Sequence, residues 1–84
     1  MLFESVIYSY SGRTFRFGPA TAEPSGTLEC HVCYWRGMVR HTPTGYEAVV
    51  EQKYTPYAQI AAPEPFATRP LALQWVAQQL INEQ

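Results

Sequence analysis

Four consecutive residues near the middle of the chain have a spacing that could support metal or redox chemistry. The run Cys30-His31-Val32-Cys33 contains the C-x-x-C spacing of half a zinc site or of a redox dithiol. Zinc needs four converging ligands, and His31 and His41 are the histidines that could complete a set. We expect a strand here, on which residues three apart point to opposite faces about 10 Å from each other. The sequence therefore favours ordinary strand cysteines and predicts no metal and no cofactor.

The remaining reactive residues do not form a recognisable catalytic motif. His31 and His41 would lie about 33 Å apart on an extended strand, so they could share a site only if that strand bent sharply. No serine or cysteine has the sequence context of a nucleophile, and no glycine-rich phosphate loop is present. We expect a non-enzymatic protein.

Length and composition predict one small folded domain over residues 1–84. The chain is 46% hydrophobic and 14% aromatic, which is typical of a folded globule. Its formal net charge of −1 creates no overall field toward nucleic acid or an anionic membrane. The sequence begins without the basic and apolar regions of a signal peptide, and it has no apolar run of membrane-spanning length, so we expect a cytoplasmic location.

Two hairpins are predicted before the C-terminal third of the chain. Strands at about residues 3–10 and 13–17 flank the turn dipeptide Ser11-Gly12, with Tyr10 opposite Arg13. A long strand at about 27–41 follows and returns through a turn at 42–45 as a strand at about 46–57. The first hairpin then places four large apolar residues on one face: Val6, Tyr8, Phe15 and Phe17.

The second hairpin has a register that its charges specify. With His41 opposite Tyr46, Arg40 faces Glu47 and Arg36 faces Glu51, and Met38 and Val49 lie between these two pairs. A slip by one residue would place arginine against alanine and mix the two faces. The opposite side pairs mainly apolar residues: Val39 with Ala48, Gly37 with Val50, Trp35 with Gln52, and Cys33 with Tyr54.

A helix is predicted at about residues 69–82, after a proline-rich connector at 61–67. Between Arg69 and Glu83 no residue is charged, and helical spacing collects an aliphatic stripe for contact with the sheet. We therefore predict an α+β fold in the order ββββα, with a four-stranded antiparallel sheet of two hairpins and the helix packed on one face. The predicted core contains Val6, Tyr8, Phe15, Phe17, Cys33, Trp35, Val39, Val50 and Tyr54 against Leu73, Val76, Ala77 and Leu80.

Two surfaces are candidates for binding another protein or a second copy of the chain. One is the side of the helix with Leu71, Trp75, Gln78 and Gln79, where tryptophan could serve as an anchor or could instead complete the core. The other is an exposed edge of the sheet, whose unpaired backbone groups can accept an added strand.

The ββββα outline resembles small sheet-plus-helix accessory proteins of phages and mobile elements, including inhibitors of host defence. That resemblance in topology implies an inhibitor-like, protein-binding role, with a homodimer as the other form of the same hypothesis. An alternative is a nucleic-acid-binding regulator that uses four basic residues: Arg13, Arg16, Arg36 and Arg40. Because Glu47 and Glu51 are predicted to pair with two of these arginines, a solvated charge ladder is favoured over phosphate contact.

Overall fold

A computed structural model describes residues 5–20, 26–54 and 58–82. In these ranges it contains six strands and one helix: β1 (Val6–Tyr10), β2 (Arg13–Pro19), β3 (Thr27–Val32), β4 (Trp35–Thr42), β5 (Gly45–Gln52), β6 (Gln59–Ala61) and α1 (Arg69–Asn82). The strands form one antiparallel sheet in sequence order, from β1 to β6. The predicted α+β fold with an antiparallel sheet and a C-terminal helix is confirmed, but the predicted four strands are wrong. Residues 3–4 and 55–57 of the predicted strands lie outside the described ranges.

The predicted long strand at 27–41 is two strands joined by a tight turn. Val32 of β3 pairs with Trp35 of β4, so Cys33 and Tyr34 form a two-residue connection. Cys33 has a φ of 52°, in the left-handed region that residues other than glycine seldom adopt. The turn contains no glycine, proline or asparagine, so the sequence gives no ordinary signal for it.

This turn reverses the inward and outward positions that a continuous strand would have. Because Val32 and Trp35 face each other, the even-numbered residues of β3 join the odd-numbered residues of β4 on the inner face. Cys30 is therefore buried and Cys33 is exposed. The prediction that Cys33 and Tyr54 belong to the core is wrong, since Tyr54 is 76% exposed and its ring instead contacts that of Tyr34 edge-on.

The predicted strand at 46–57 is also interrupted. β5 ends at Gln52, and the chain returns along its free side as β6, with Val50 opposite Ile60. Beyond β6 the chain leaves β5 and rejoins it at Phe66, which exchanges two backbone hydrogen bonds with Tyr46, at 2.9 and 2.8 Å. The connector is therefore a bulged continuation of the outermost strand.

The two predicted hairpin registers are confirmed. Tyr10 lies opposite Arg13, and positive φ angles of 53° at Ser11 and 76° at Gly12 give the turn its type I′ form. In the second hairpin, His41 lies opposite Tyr46 and the predicted pairs continue to Trp35 with Gln52.

Helix α1 packs on the inner face of the sheet, chiefly against β4 and β5, and also contacts β1. Its buried stripe contains Ala72, Leu73, Val76, Ala77 and Leu80. The helix comes closest to the sheet at Gly37, where an added Cβ would lie 2.3 Å from Cγ1 of Val76. The described core contains most of the predicted residues together with Leu28, Cys30, Ala48 and Ala72, while Val6, Tyr8 and Trp35 are partly buried against it.

Candidate functional site

The predicted helix surface is only partly available to a partner. Leu71 is 48% exposed and Gln78 is exposed, whereas Trp75 and Gln79 are half-buried. The ring of Trp75 lies 6.4 Å from that of Phe66, so the indole packs against the connector. This contact gives Trp75 a packing role, and its role in binding stays a prediction.

Arg36, one of the four arginines of the nucleic-acid alternative, lies between two carboxylates on the outer face. Its Nε is 3.1 Å from Oε2 of Glu29 and its Nη1 is 3.3 Å from Oε1 of Glu51. The Glu51 contact confirms a predicted pair. Glu29 was missed because a continuous strand would have placed it on the inner face.

The other three arginines lie on two strands and have different surroundings. Arg40 pairs with Glu47 at 2.6 Å, as predicted. The guanidinium of Arg13 lies over the ring of Phe15, 5.5 Å from its centroid, and Arg16 is exposed opposite Ile7 of β1. Arg13 and Arg16 lie on β2 and the other two on β4, with β3 between these strands.

The two cysteines have opposite environments. Burial raises the pKa of the Cys30 thiol, and a backbone hydrogen bond at Arg16 and the charge of Lys53 oppose this rise. Cys33 is exposed in its turn. Across residues 5–20, 26–54 and 58–82, no three histidine, cysteine, aspartate or glutamate residues group in a way that could hold a metal ion.

The two histidines contact different residues. His31 Nε2 lies 3.0 Å from Oε1 of Glu29, and the His41 ring stacks on Tyr46 with 4.6 Å between centroids. Neither contact places a serine or cysteine beside an imidazole, which is the arrangement that activates a side-chain nucleophile.

The two edges of the sheet differ in their ability to accept another strand. At the β6 edge, the chain continues into the connector, in which Pro63 and Pro65 have no backbone N–H to donate. Proline and bulges on an outer strand hinder strand addition. This edge is therefore poorly suited to pairing.

The β1 edge has no such protection in the part of the chain that the structure describes. A two-residue turn makes Tyr10 and Arg13 a hydrogen-bonded pair, and bonded and non-bonded pairs alternate from there. The backbone N–H and C=O groups of Ile7 and Ser9 therefore point away from β2. The strand has the sequence Val-Ile-Tyr-Ser-Tyr, without charge or proline, and Ile7 is 68% exposed.

An open groove runs beside this edge, between the inner face of β1 and the start of α1. Its volume is about 680 Å³, and its apolar lining includes Val6, Tyr8, Pro70 and Leu73. The groove leaves room for the inward side chains of a strand added to β1. Sequence reasoning gave Ile7 and Ser9 no predicted role; the available signal was a strand free of charge and proline.

Comparisons with protein-family models, curated proteins and solved structures find no match for this chain. Within the described ranges, no helix has the length and apolar character needed to cross a membrane.

Proposed function

We propose that this protein is a non-enzymatic protein-binding module whose contact surface is the β1 edge. The observation that carries this proposal is the asymmetry of the sheet, because one edge is obstructed by Pro63 and Pro65 and the other offers the outward backbone groups of Ile7 and Ser9. Backbone pairing supplies affinity in strand addition, and neighbouring pockets for side chains supply selectivity. The groove lined by Tyr8 lies where it would receive the inward side chains of an added strand.

An inhibitor-like accessory role of the phage or mobile-element type is one use of such a module. In that role, the chain would occupy a strand-pairing surface on a larger protein. The nucleic-acid alternative has less support, because Arg36 and Arg40 are neutralised by glutamates at 2.6 to 3.3 Å and the outer face does not form a continuous basic track.

The test is capture of proteins from a lysate of the source cells on the immobilised chain, with two matched variants. Ile7→Lys adds a charge at the proposed edge, and Leu71→Lys adds the same charge to an exposed position on the helix. Proteins retained by wild type and Leu71→Lys but lost with Ile7→Lys support the edge. Loss with Leu71→Lys alone assigns binding to the helix side and contradicts the proposal.

Salt concentration and nuclease treatment distinguish protein binding from the nucleic-acid-binding alternative. Nucleic-acid binding weakens steeply as salt rises, since each phosphate contact releases counterions. Capture that disappears after nuclease treatment or at moderate salt, and that responds to Arg16→Ala, would replace the protein-binding proposal with the nucleic-acid one.

A further inference from the structure

We infer that the strand added at the β1 edge is β1 of a second copy of this chain, which makes a symmetric dimer with one continuous sheet. This inference rests on the proposed function, since it names the partner of the same edge. In the proposed register Tyr8 lies on the two-fold axis opposite Tyr8 of the second copy, and Ile7 lies opposite Ser9.

The first argument is the position of the free backbone groups. The outward groups belong to Ile7 and Ser9, and a two-fold axis at Tyr8 brings Ile7 of each copy against Ser9 of the other. Each such pair exchanges two backbone hydrogen bonds. The five residues of β1 are then all paired, and the two copies are related by a closed, isologous contact.

The second argument is that β1 is compatible with itself. Antiparallel self-pairing brings like charges together when a strand contains them, and this is a common protection of natural edges. β1 contains no charged residue. The net charge of −1 per chain also gives little repulsion between copies. An edge that remains monomeric usually has a charge, a proline or a bulge, and β1 has none of them.

The third argument is the match between the two faces. A two-fold axis perpendicular to the sheet keeps inner faces together, so Tyr8 of each copy enters the space beside the groove that Val6, Pro70 and Leu73 line in the other. Val6, Tyr8 and Tyr10 are partly buried against the core in the single chain and would be further covered. On the outer face, exposed Ile7 is covered by the neighbouring strand.

The register makes a test by charge placement feasible. In the double variant Ile7→Lys/Ser9→Lys, the lysine introduced at position 7 of each copy opposes the lysine introduced at position 9 of the other, and the dissociation constant should rise about tenfold or more. In Ile7→Lys/Ser9→Glu, the same register places lysine opposite glutamate at both sites and dimerisation should be retained. A register centred on Ile7 would instead oppose two lysines in both variants.

A second pair of variants tests the backbone. Ser9→Pro removes the outward N–H of Ser9 in each copy, and so two of the four central hydrogen bonds, without removing a bond to β2. We expect the dissociation constant to rise about tenfold or more. Ser9→Ala keeps this N–H and should dimerise like the wild type, while Leu71→Lys serves as the control for an added surface charge.

The measurement is sedimentation equilibrium of the full chain from about 5 to 500 µM, the range suited to a small interface, with the fold of every variant checked by circular dichroism. The 9.6 kDa chain should approach twice its mass in wild type, in Ser9→Ala, in Ile7→Lys/Ser9→Glu and in the Leu71→Lys control. A monomeric wild type, or a dimer that Ser9→Pro and Ile7→Lys/Ser9→Lys leave intact, overturns the inference.

The failure of this inference can be distinguished from failure of the proposed function. If the wild type is monomeric but still captures another protein in a way that depends on Ile7, the self-pairing inference is contradicted. The proposal that the β1 edge binds a protein then remains. A dimer disrupted by Leu71→Lys but not by the β1 variants overturns both, because the contact would then be the helix. A dimer that follows the β1 variants, with no other protein captured, identifies the second copy as the partner.

Discussion

Replacement of Gly37 by alanine tests the closest approach of helix to sheet. A Cβ at this position would lie 2.3 Å from Cγ1 of Val76, and ordinary carbon contacts begin near 3.5 Å. The two surfaces would have to separate by about 1.2 Å, or Val76 would have to leave its preferred rotamer. A β-branched residue in a helix has one strongly favoured χ1 rotamer, so the second response is costly.

The expected loss can be estimated from these contacts. Overpacking a filled core costs about 1 to 3 kcal/mol, and the reduced freedom of the unfolded chain returns about 0.4 to 1 kcal/mol. The difference is a fall of about 1 to 2 kcal/mol in the free energy of unfolding, which lowers the melting temperature by about 4 to 16 °C in a domain of this size. Chemical and thermal denaturation followed by circular dichroism measure both quantities.

Gly18→Ala is the matched control, because its Cβ would meet nothing closer than Oγ of Ser5 at 3.9 Å. It should change stability by less than about 1 kcal/mol. Val76→Ala removes the opposing methyl groups, so the double variant Gly37→Ala/Val76→Ala should lose less than the sum of its single variants, by about 1 kcal/mol or more. Equal stability of Gly37→Ala and Gly18→Ala, or full additivity in the double variant, would refute the close approach.

Four further predictions concern the turns, the buried thiol of Cys30 and the outer face. Gly45→Ala should lower the free energy of unfolding by more than about 2 kcal/mol. Gly45 has a φ of 142°, and a Cβ added there would lie 2.6 Å from the backbone oxygen of Phe66 in the connector. The fluorescence of Trp75, which packs on Phe66, should therefore shift. Iodoacetamide should alkylate exposed Cys33 rapidly and buried Cys30 only on unfolding. Because burial raises the pKa of Cys30, the unfolded chain loses this thiol proton first as pH rises, so stability should decline from about pH 8.5 upward. Arg36→Ala should cost about 1 to 2 kcal/mol by leaving two half-buried carboxylates without their shared cation, whereas Arg40→Ala should cost less than about 0.5 kcal/mol.

Each of these predictions has its own control and contrary result. A stable Gly45→Ala protein with wild-type fluorescence would contradict the bulged connector. Equal labelling rates for the two thiols, measured by peptide mass, would contradict the turn at residues 33–34, and a Cys30→Ala variant should lack the extra alkaline decline. Equal losses for Arg36→Ala and Arg40→Ala in urea denaturation would mean that the Arg36 cluster is no more stabilising than an exposed ion pair.

Local sequence patterns were sufficient wherever short-range pairing decided the structure. The β4–β5 register follows from the alternation of Arg36 and Arg40 on one strand with Glu47 and Glu51 on the other, because a slip by one residue changes both the charge pairing and the burial. The first hairpin follows from Ser11-Gly12, because serine is a common turn residue and the glycine readily accepts the positive φ of the second turn position.

The missed features depend on contacts between distant parts of the chain. The turn at Cys33 has no favoured turn residue, and the strain of its φ of 52° is offset by the pairing of β3 with strands on both sides. Glu29 could be placed beside Arg36 only after this reversal was known. The exposed position of Tyr54 likewise depends on where β5 ends and β6 begins.

The sequence by itself determined the α+β class, the helix at its observed position, two registers and the charge ladder, because each follows from periodicity or from neighbouring residues. Only the tertiary structure decided which cysteine is buried, how Trp75 packs against the connector, and which edge of the sheet is open. The physical reason is that the two-residue turn at Cys33 and Tyr34 inverts the inward and outward alternation of β3 relative to β4. Which strands lie at the edges of the sheet, moreover, depends on the order of all six strands.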